Sequence, residues 1–217
     1  MNTMPKSAHA QPGREALLDA AAVLMDENGV DHVSLNEINR AAGQLNRSAV
    51  QYHFGTRDAL IVQLVQRTTN VIDVERTALL DHLETTRGPL SPREAVEVVI
   101  GPMARRLTTV EGRRHLRIMG QLINHPRYNA DARETMQASP SLARCSAAIM
   151  PIFGTLPLDL RIERIAQGVP FVVRAIADQA RLVDAQPRPR PVLGQDRFVA
   201  NLVDVLLAML EAPDTTS

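Results

Sequence analysis

An all-α protein is predicted by three observations. Apolar residues recur at three- and four-residue spacing along nearly the whole chain, no segment alternates apolar and polar residues as a half-buried strand would, and helix caps punctuate the apolar stretches. About nine helices are expected.

The elements follow in order. Met1–Pro12 is polar and aperiodic and reads as a disordered arm. From Gly13 to Asn28, Leu17, Leu18, Ala21, Leu24 and Met25 recur at helical spacing, and Gly29 closes the helix. Ser34 and Glu37 have the spacing of a capping box, which opens a short helix at Leu35 that Gly43 terminates. Asn46 offers an N-cap to a second short helix, Arg47–Phe54, with Val50 and Phe54 one turn apart as its buried pair. Gly55 ends it, and Thr56 caps a long helix from Arg57 to about Thr86. Leu60, Leu64, Ile72, Leu79, Leu80 and Leu83 mark its buried side, and Gly88-Pro89 stops it. At roughly 29 residues it would be about 43 Å long, enough to join two domains as a lever.

Ser91-Pro92-Arg93-Glu94 is another capping box with Pro at the first helical position, opening a helix through about Thr109 that Pro102 should bend. Glu111–Asn124 follows, and His125-Pro126 breaks the chain. Asn129–Ala138 reads as a short helix, and Ser139-Pro140 starts another that runs to about Phe153-Gly154. Pro157 to about Asp184 is long, with interruptions expected at Gly168 and Pro170. Gln186–Pro191 must be extended, because each residue before Pro avoids the α region. The last helix spans about Gln195 to Leu210.

The 217 residues are 45% hydrophobic, enough for a small plus a medium domain. Cys145 is the single cysteine, so no internal disulfide is possible, and beside Ala147, Ala148 and Met150 it reads as a small core residue. No apolar leader and no run of 18 apolar residues is present, so a soluble cytoplasmic protein with no membrane partner is expected. Formal net charge is zero, so any attraction for nucleic acid must be local. Lys6 is the sole lysine among 24 basic residues, a pattern of GC-rich coding more than of phosphate binding.

The region Ser34–Leu60 is a helix-turn-helix pattern followed at once by a third helix, and its outward residues suit a DNA groove. Arg47 can fork onto guanine and Gln51 can pair with adenine, while Ser48, Tyr52 and His53 can bond phosphate oxygens. Free amides at the helix starts capped by Ser34 and Thr56, with Arg57 adjacent, form a second anionic cradle.

Residues 13–60 resemble the DNA-binding domain of the tetracycline-repressor (TetR) family. The resemblance rests on the Ala42-Gly43 turn, the polar cap Asn46, the recognition helix ending in Gln51-Tyr52-His53-Phe54, and the capped start Thr56-Arg57. It implies base reading by Arg47, Ser48 and Gln51 and phosphate contact by Tyr52, His53 and Arg57. Three departures leave the docking angle and the bases open: Gln44-Leu45 lengthens the turn by one residue, Ser48 replaces a frequent Gly, and Gln51 replaces a frequent Tyr. The implied organisation is an arm (1–12), a DNA-binding domain (13–60) and an effector-binding and dimerisation domain (61–213).

Two helices carry apolar residues around more than one face. Ile165, Val169, Val172, Val173 and Ile176 in one, with Phe198, Leu202, Leu206 and Met209 in the other, suggest pairing across a two-fold axis into a homodimer. The family resemblance implies an effector pocket, for which His115, Met119, Gln121, Leu122, Met136, Met150, Phe153 and Arg174 are the candidates. Only six aromatic residues occur, two of them in the DNA head, so an apolar or amphipathic effector is favoured over a flat multi-ring one.

The enzyme class has little support, since Gly-x-Ser-x-Gly, a glycine-rich nucleotide loop, His-Glu-x-x-His and Cys/His clusters are all missing. Glu111 and His115 lie four apart on one helix, a spacing commoner in surface ion pairs than in acid-base or metal sites. No catalytic residue, metal or cofactor is expected. The expected function is a sequence-specific DNA-binding regulator: a ligand-released repressor acting as a homodimer on a palindromic double-stranded operator. An architectural DNA-binding protein without effector is the alternative.

Overall fold

A computed structural model describes residues 10–46, 48–128 and 139–215. Among these residues there are nine α-helices and no strand: α1 (Ala10–Asn28), α2 (Leu35–Ala41), α3 (Ala49–Phe54), α4 (Arg57–Arg87), α5 (Pro92–Arg105), α6 (Val110–Leu122), α7 (Pro140–Ile149), α8 (Leu158–Asp184) and α9 (Gln195–Glu211). No helix among them is long and apolar enough to cross a membrane. The expected helix Asn129–Ala138, with Met136 in it, lies outside the described residues, as do Arg47 and most of the expected N-terminal arm.

The chain divides into two compact units, Met1–Thr68 and Thr69–Ser217. In the first, α1 packs on α2 and α3. Leu17, Leu18, Ala21, Met25, Ile38, Val50, Leu60, Ile61 and Leu64 are buried, the helical spacing of each segment having put one apolar face inward. The helix α1 begins at Ala10, three residues before the expected start, so the segment 10–12 is not part of an arm. The unit also extends past residue 60. Leu64 is buried, and Arg67 binds Glu15 at 3.1 Å and Asp19 at 2.8 Å, which ties the first turns of α4 to α1.

In the second unit the main core gathers Ile72, Val96, Ile100, Leu116, Phe153, Val172, Ile176, Phe198, Val203 and Leu206 from α4, α5, α6, α8, α9 and the turn after α7. A satellite cluster of Leu80, Ala95, Val98 and Cys145 joins α4, α5 and α7. Burial pushes the Cys145 thiol up to about 11. α6 and α8 cross closely at Gly120, where an added Cβ would stand 2.5 Å from the Ala177 methyl.

Two expectations for this unit are corrected. α8 is continuous from Leu158 to Asp184, with Pro170 inside it. Gly168 causes no interruption because its missing side chain serves packing: a Cβ there would lie 3.1 Å from Leu206 Cδ1. The second correction concerns the helices expected to pair in a dimer. Val172, Val173, Ile176, Phe198, Leu202 and Leu206 belong to the chain's own core, since α8 is covered by α6 along one side and by α9 and α5 elsewhere. A helix apolar around two faces is satisfied here by being central. Of the residues expected at the interface, Ile165 is 38% exposed and Val169 and Met209 are half-buried.

Candidate nucleic-acid interface

The turn between α2 and α3 is built by backbone requirements that the sequence meets residue by residue. Ser34 Oγ accepts the Glu37 amide at 3.3 Å, and Glu37 Oε2 accepts the Ser34 amide at 2.8 Å, so α2 starts with a complete capping box. The Ser34 hydroxyl, donating to Glu37 Oε2 at 2.6 Å, and the Ser34 amide together hold the Glu37 carboxyl below its ordinary value. Gly43 takes φ of 65°, a left-handed conformation that residues with a Cβ adopt at a cost, and reverses the chain. Asn46 Oδ1 then accepts the Ser48 amide at 2.9 Å, and Gly55, at φ of 75°, ends α3. Thr56 Oγ1 caps α4 by accepting the Ala59 amide at 3.0 Å.

Asn39 fixes the angle between the two short helices, a role the sequence reading did not assign. It is buried, and its Oδ1 accepts the Val50 amide at 3.1 Å while its carbonyl accepts the Gln44 amide at 2.9 Å. The available signal was a polar residue at helical spacing from Leu35 and Ala42, on the face that turns inward.

Several of the expected DNA-contacting residues share an exposed position. Ser48 is the N-cap of α3 and its hydroxyl makes no capping bond, while Asn39 accepts the Val50 amide of the first turn; Ser48, Gln51 and Tyr52 are all exposed, Tyr52 by 74%. The helix begins at Ala49, two residues later than expected. His53 is half-buried, edge-on to Tyr52 at 5.0 Å between ring centres, and its Nε2 lies 3.6 Å from the position a Cβ on Gly13 would occupy. It therefore sits against α1 more than on the outward face. Phe54 is buried under the Arg14 guanidinium, 5.4 Å from its ring centre.

The anionic cradle takes a different form from the expected one. The start of α2 is already filled by the Glu37 carboxylate. Arg57 is half-buried and donates to the carbonyls of Val33, at 3.2 Å, and Val30, so its guanidinium braces the turn before α2. Ser34, Asn46 and Thr56 are exposed with their side chains engaged as caps.

Leu122, Phe153 and His115 are buried, and His115 Nδ1 lies 2.9 Å from the Glu111 carbonyl. Met119 packs against the main core, Gln121 is half-buried, and Arg174 and Met150 are exposed.

Comparison with known proteins places this geometry. Residues 17–64 match the family model of bacterial regulatory proteins, tetR family. The A-factor receptor protein of Streptomyces griseus is 27% identical over 73 residues, which is 34% of this chain; the match spans about a quarter (26%) of that receptor's length. The fatty acid degradation regulator FadR of Bacillus halodurans superposes with a TM-score of 0.61 at 12% identity, over 89% of this chain and 97% of that one. Thermus thermophilus FadR, a TetR-family repressor solved with lauroyl-CoA, does so at 0.52 and 18% identity, over 94% and 98%. These two structures share the fold of this chain, and the matched segment covers α2, α3 and the residues that flank them. Residues 17–64 thus carry the helix-turn-helix of the bacterial regulatory proteins, tetR family.

Proposed function

We propose that this protein binds a palindromic operator in double-stranded DNA as a homodimer and that a small-molecule effector in the second unit releases it, so that it represses transcription until the effector arrives. The observation that carries the DNA-reading part is the exposed set Ser48, Gln51 and Tyr52 on a recognition helix whose angle is locked from inside by Asn39. A hydroxyl, a carboxamide and a phenol in one to two turns can bond both base edges and phosphates. Arg47, which precedes the Ser48 cap, adds the guanine-reading fork and the positive charge that a neutral chain needs locally. Arg57 and His53, engaged within the domain, act by positioning.

Two-fold pairing supports the reading through the apolar residues that α8 and α9 leave uncovered. Leu158, Ile162, Ile165 and Val205 are all exposed, and Val169 and Met209 are half-buried beside them in sequence. A dimer formed there would present two recognition helices to half-sites one DNA turn, roughly 34–36 Å, apart. A cytoplasmic location follows from action on a promoter. The effector part draws support from the relatives, one of which is named a receptor and another of which was solved with an acyl-coenzyme A.

The test is selection of bound sequences from random DNA, followed by release of the selected site with a metabolite panel. A palindrome and a releasing compound are expected. A palindrome that nothing releases would leave a constitutive DNA-binding protein, and selection without any preferred sequence would overturn the proposal.

A further inference from the structure

Leu45 is 103% exposed, as open to solvent as a leucine in an extended peptide, and it stands in the turn that leads into the recognition helix. A lone exposed leucine is ordinary on a protein surface, and its place is what sets this one apart. Among the described residues of the first unit only two large apolar side chains are exposed, Leu45 ahead of α3 and Tyr52 within it.

Gln44 and Leu45 share the lengthened turn unequally. Gln44 is half-buried: its amide donates to the Asn39 carbonyl at 2.9 Å, its Nε2 donates to the Ala42 carbonyl at 3.4 Å, and that nitrogen lies 3.7 Å from where a Cβ on Gly13 of α1 would stand. On the other side of Leu45, the Asn46 carbonyl accepts the Ala49 amide at 3.1 Å, and Asn46 Oδ1 accepts the Ser48 amide at 2.9 Å. The backbone is therefore pinned immediately before and after Leu45, and its side chain is offered to solvent from a fixed point.

Leucine has no donor or acceptor, so phosphate oxygens and the polar atoms of base edges give it no bond. The apolar feature of the major groove is the 5-methyl group of thymine. Residues at the start of a recognition helix lie against base edges, and the turn runs straight into them. From Leu45 to Ser48 the chain spans at most about 11 Å, roughly three base steps.

We infer that Leu45 is a specificity-determining residue whose side chain packs on the 5-methyl group of one thymine in each half-site, a few base steps at most from the base pair nearest Ser48. The inference rests on the DNA-reading proposal above and adds an apolar contact to its polar ones. α3 is six residues long, about 9 Å of helix, so a contact made from the turn lengthens the stretch of DNA that each head can read. The contact also demands thymine on one particular strand, because adenine presents no methyl there.

The experiment uses the full chain and the operator that it selects from random DNA. Each thymine of that operator is replaced in turn by deoxyuridine, which pairs identically and lacks only the methyl, and the Kd of the wild type and of Leu45→Ala is measured at one salt concentration. At one thymine of each half-site the replacement should weaken wild-type binding about fourfold, the worth of one buried methyl-sized group, and should leave Leu45→Ala unaffected. On the unmodified operator Leu45→Ala should lose at least that factor. Its Tm and its sedimentation should match the wild type, since the leucine supports no core. Identical deoxyuridine profiles for the two proteins would overturn the inference, and a uniform loss on every operator variant would reduce Leu45 to a backbone contact. Altered sedimentation of Leu45→Ala would assign the leucine to contact between copies of the protein and overturn it as well. Selection that returns no preferred sequence would overturn the DNA-reading proposal together with this one, whereas an operator without the Leu45-dependent thymine overturns this one alone.

Discussion

The side-chain carbonyl of Asn39 accepts the backbone amide of Val50 at 3.1 Å, joining α2 to the first turn of α3 from the buried side. That amide is one of the helix-start donors that no carbonyl within the helix can reach. Asn39→Leu keeps the volume and removes the acceptor, and should cost about 1–3 kcal/mol of stability in denaturant unfolding. Operator affinity should fall as well, with every selected site affected alike. An unchanged midpoint would mean that the two helices are held by apolar packing alone.

Gln51 and Tyr52 should separate by the kind of loss they produce. Gln51→Ala, if the carboxamide reads a base, relaxes preference at one operator position by about 1–3 kcal/mol and leaves other positions as they were. Tyr52→Phe, with the phenol proposed to contact phosphate, should weaken all sequences similarly. Titrations against mutated operators at fixed salt distinguish the two, and a uniform loss for Gln51→Ala would move it to the phosphate-contacting group.

A charge placed on an exposed residue of α8 should act on association, and one placed in the core on folding. Ile165→Glu is expected to yield monomers by sedimentation with a helical circular dichroism spectrum retained. Leu206→Glu, at a position 7% exposed, should instead leave little folded protein, because an unpaired carboxylate cannot be hydrated there. A dimer that persists in Ile165→Glu would place the two-fold contact elsewhere.

Gly120→Ala inserts a methyl where α6 and α8 already touch, 2.5 Å from the Ala177 methyl. Overpacking of this kind typically costs about 1–3 kcal/mol. Adding Ala177→Gly should recover part of the loss even though a second helical glycine has its own cost of roughly 1 kcal/mol. Strict additivity in that double-mutant cycle would show the helices moving apart at no cost.

Cys145, buried and with its thiol pushed up to about 11, should resist iodoacetamide in the folded protein at pH 8 and react fully once unfolded. Rapid native alkylation would reveal local opening of the satellite cluster.

Punctuation made the DNA head legible in advance. Ser34 with Glu37, Gly43, Gly55 and Thr56 each act within three or four residues, so the bond or dihedral each demands is local. What stayed hidden depends on contacts distant in sequence. Nothing near Arg57 indicates that its guanidinium will brace the carbonyls of Val30 and Val33, and nothing near Arg76 indicates burial beside Ser141. The periodicity of α8 announced apolar surface on several sides without saying whose surface would cover it. Gly168 and Pro170 looked like breaks by local rules, yet the missing Cβ of Gly168 admits Leu206, and tertiary packing carries the helix past the missing amide of Pro170.

Burial along α8 is graded: Leu158, Ile162 and Ile165 are exposed in its first half, whereas Val172 through Leu182 furnish core residues in its second. With the proposed two-fold pairing, one helix would take part in two equilibria of different molecularity. Melting its second half is unimolecular and indifferent to how much protein is present, while any association through its first half is bimolecular and responds to dilution. Protein concentration can then set occupancy of a two-fold DNA site while the fold of each subunit stays unaltered.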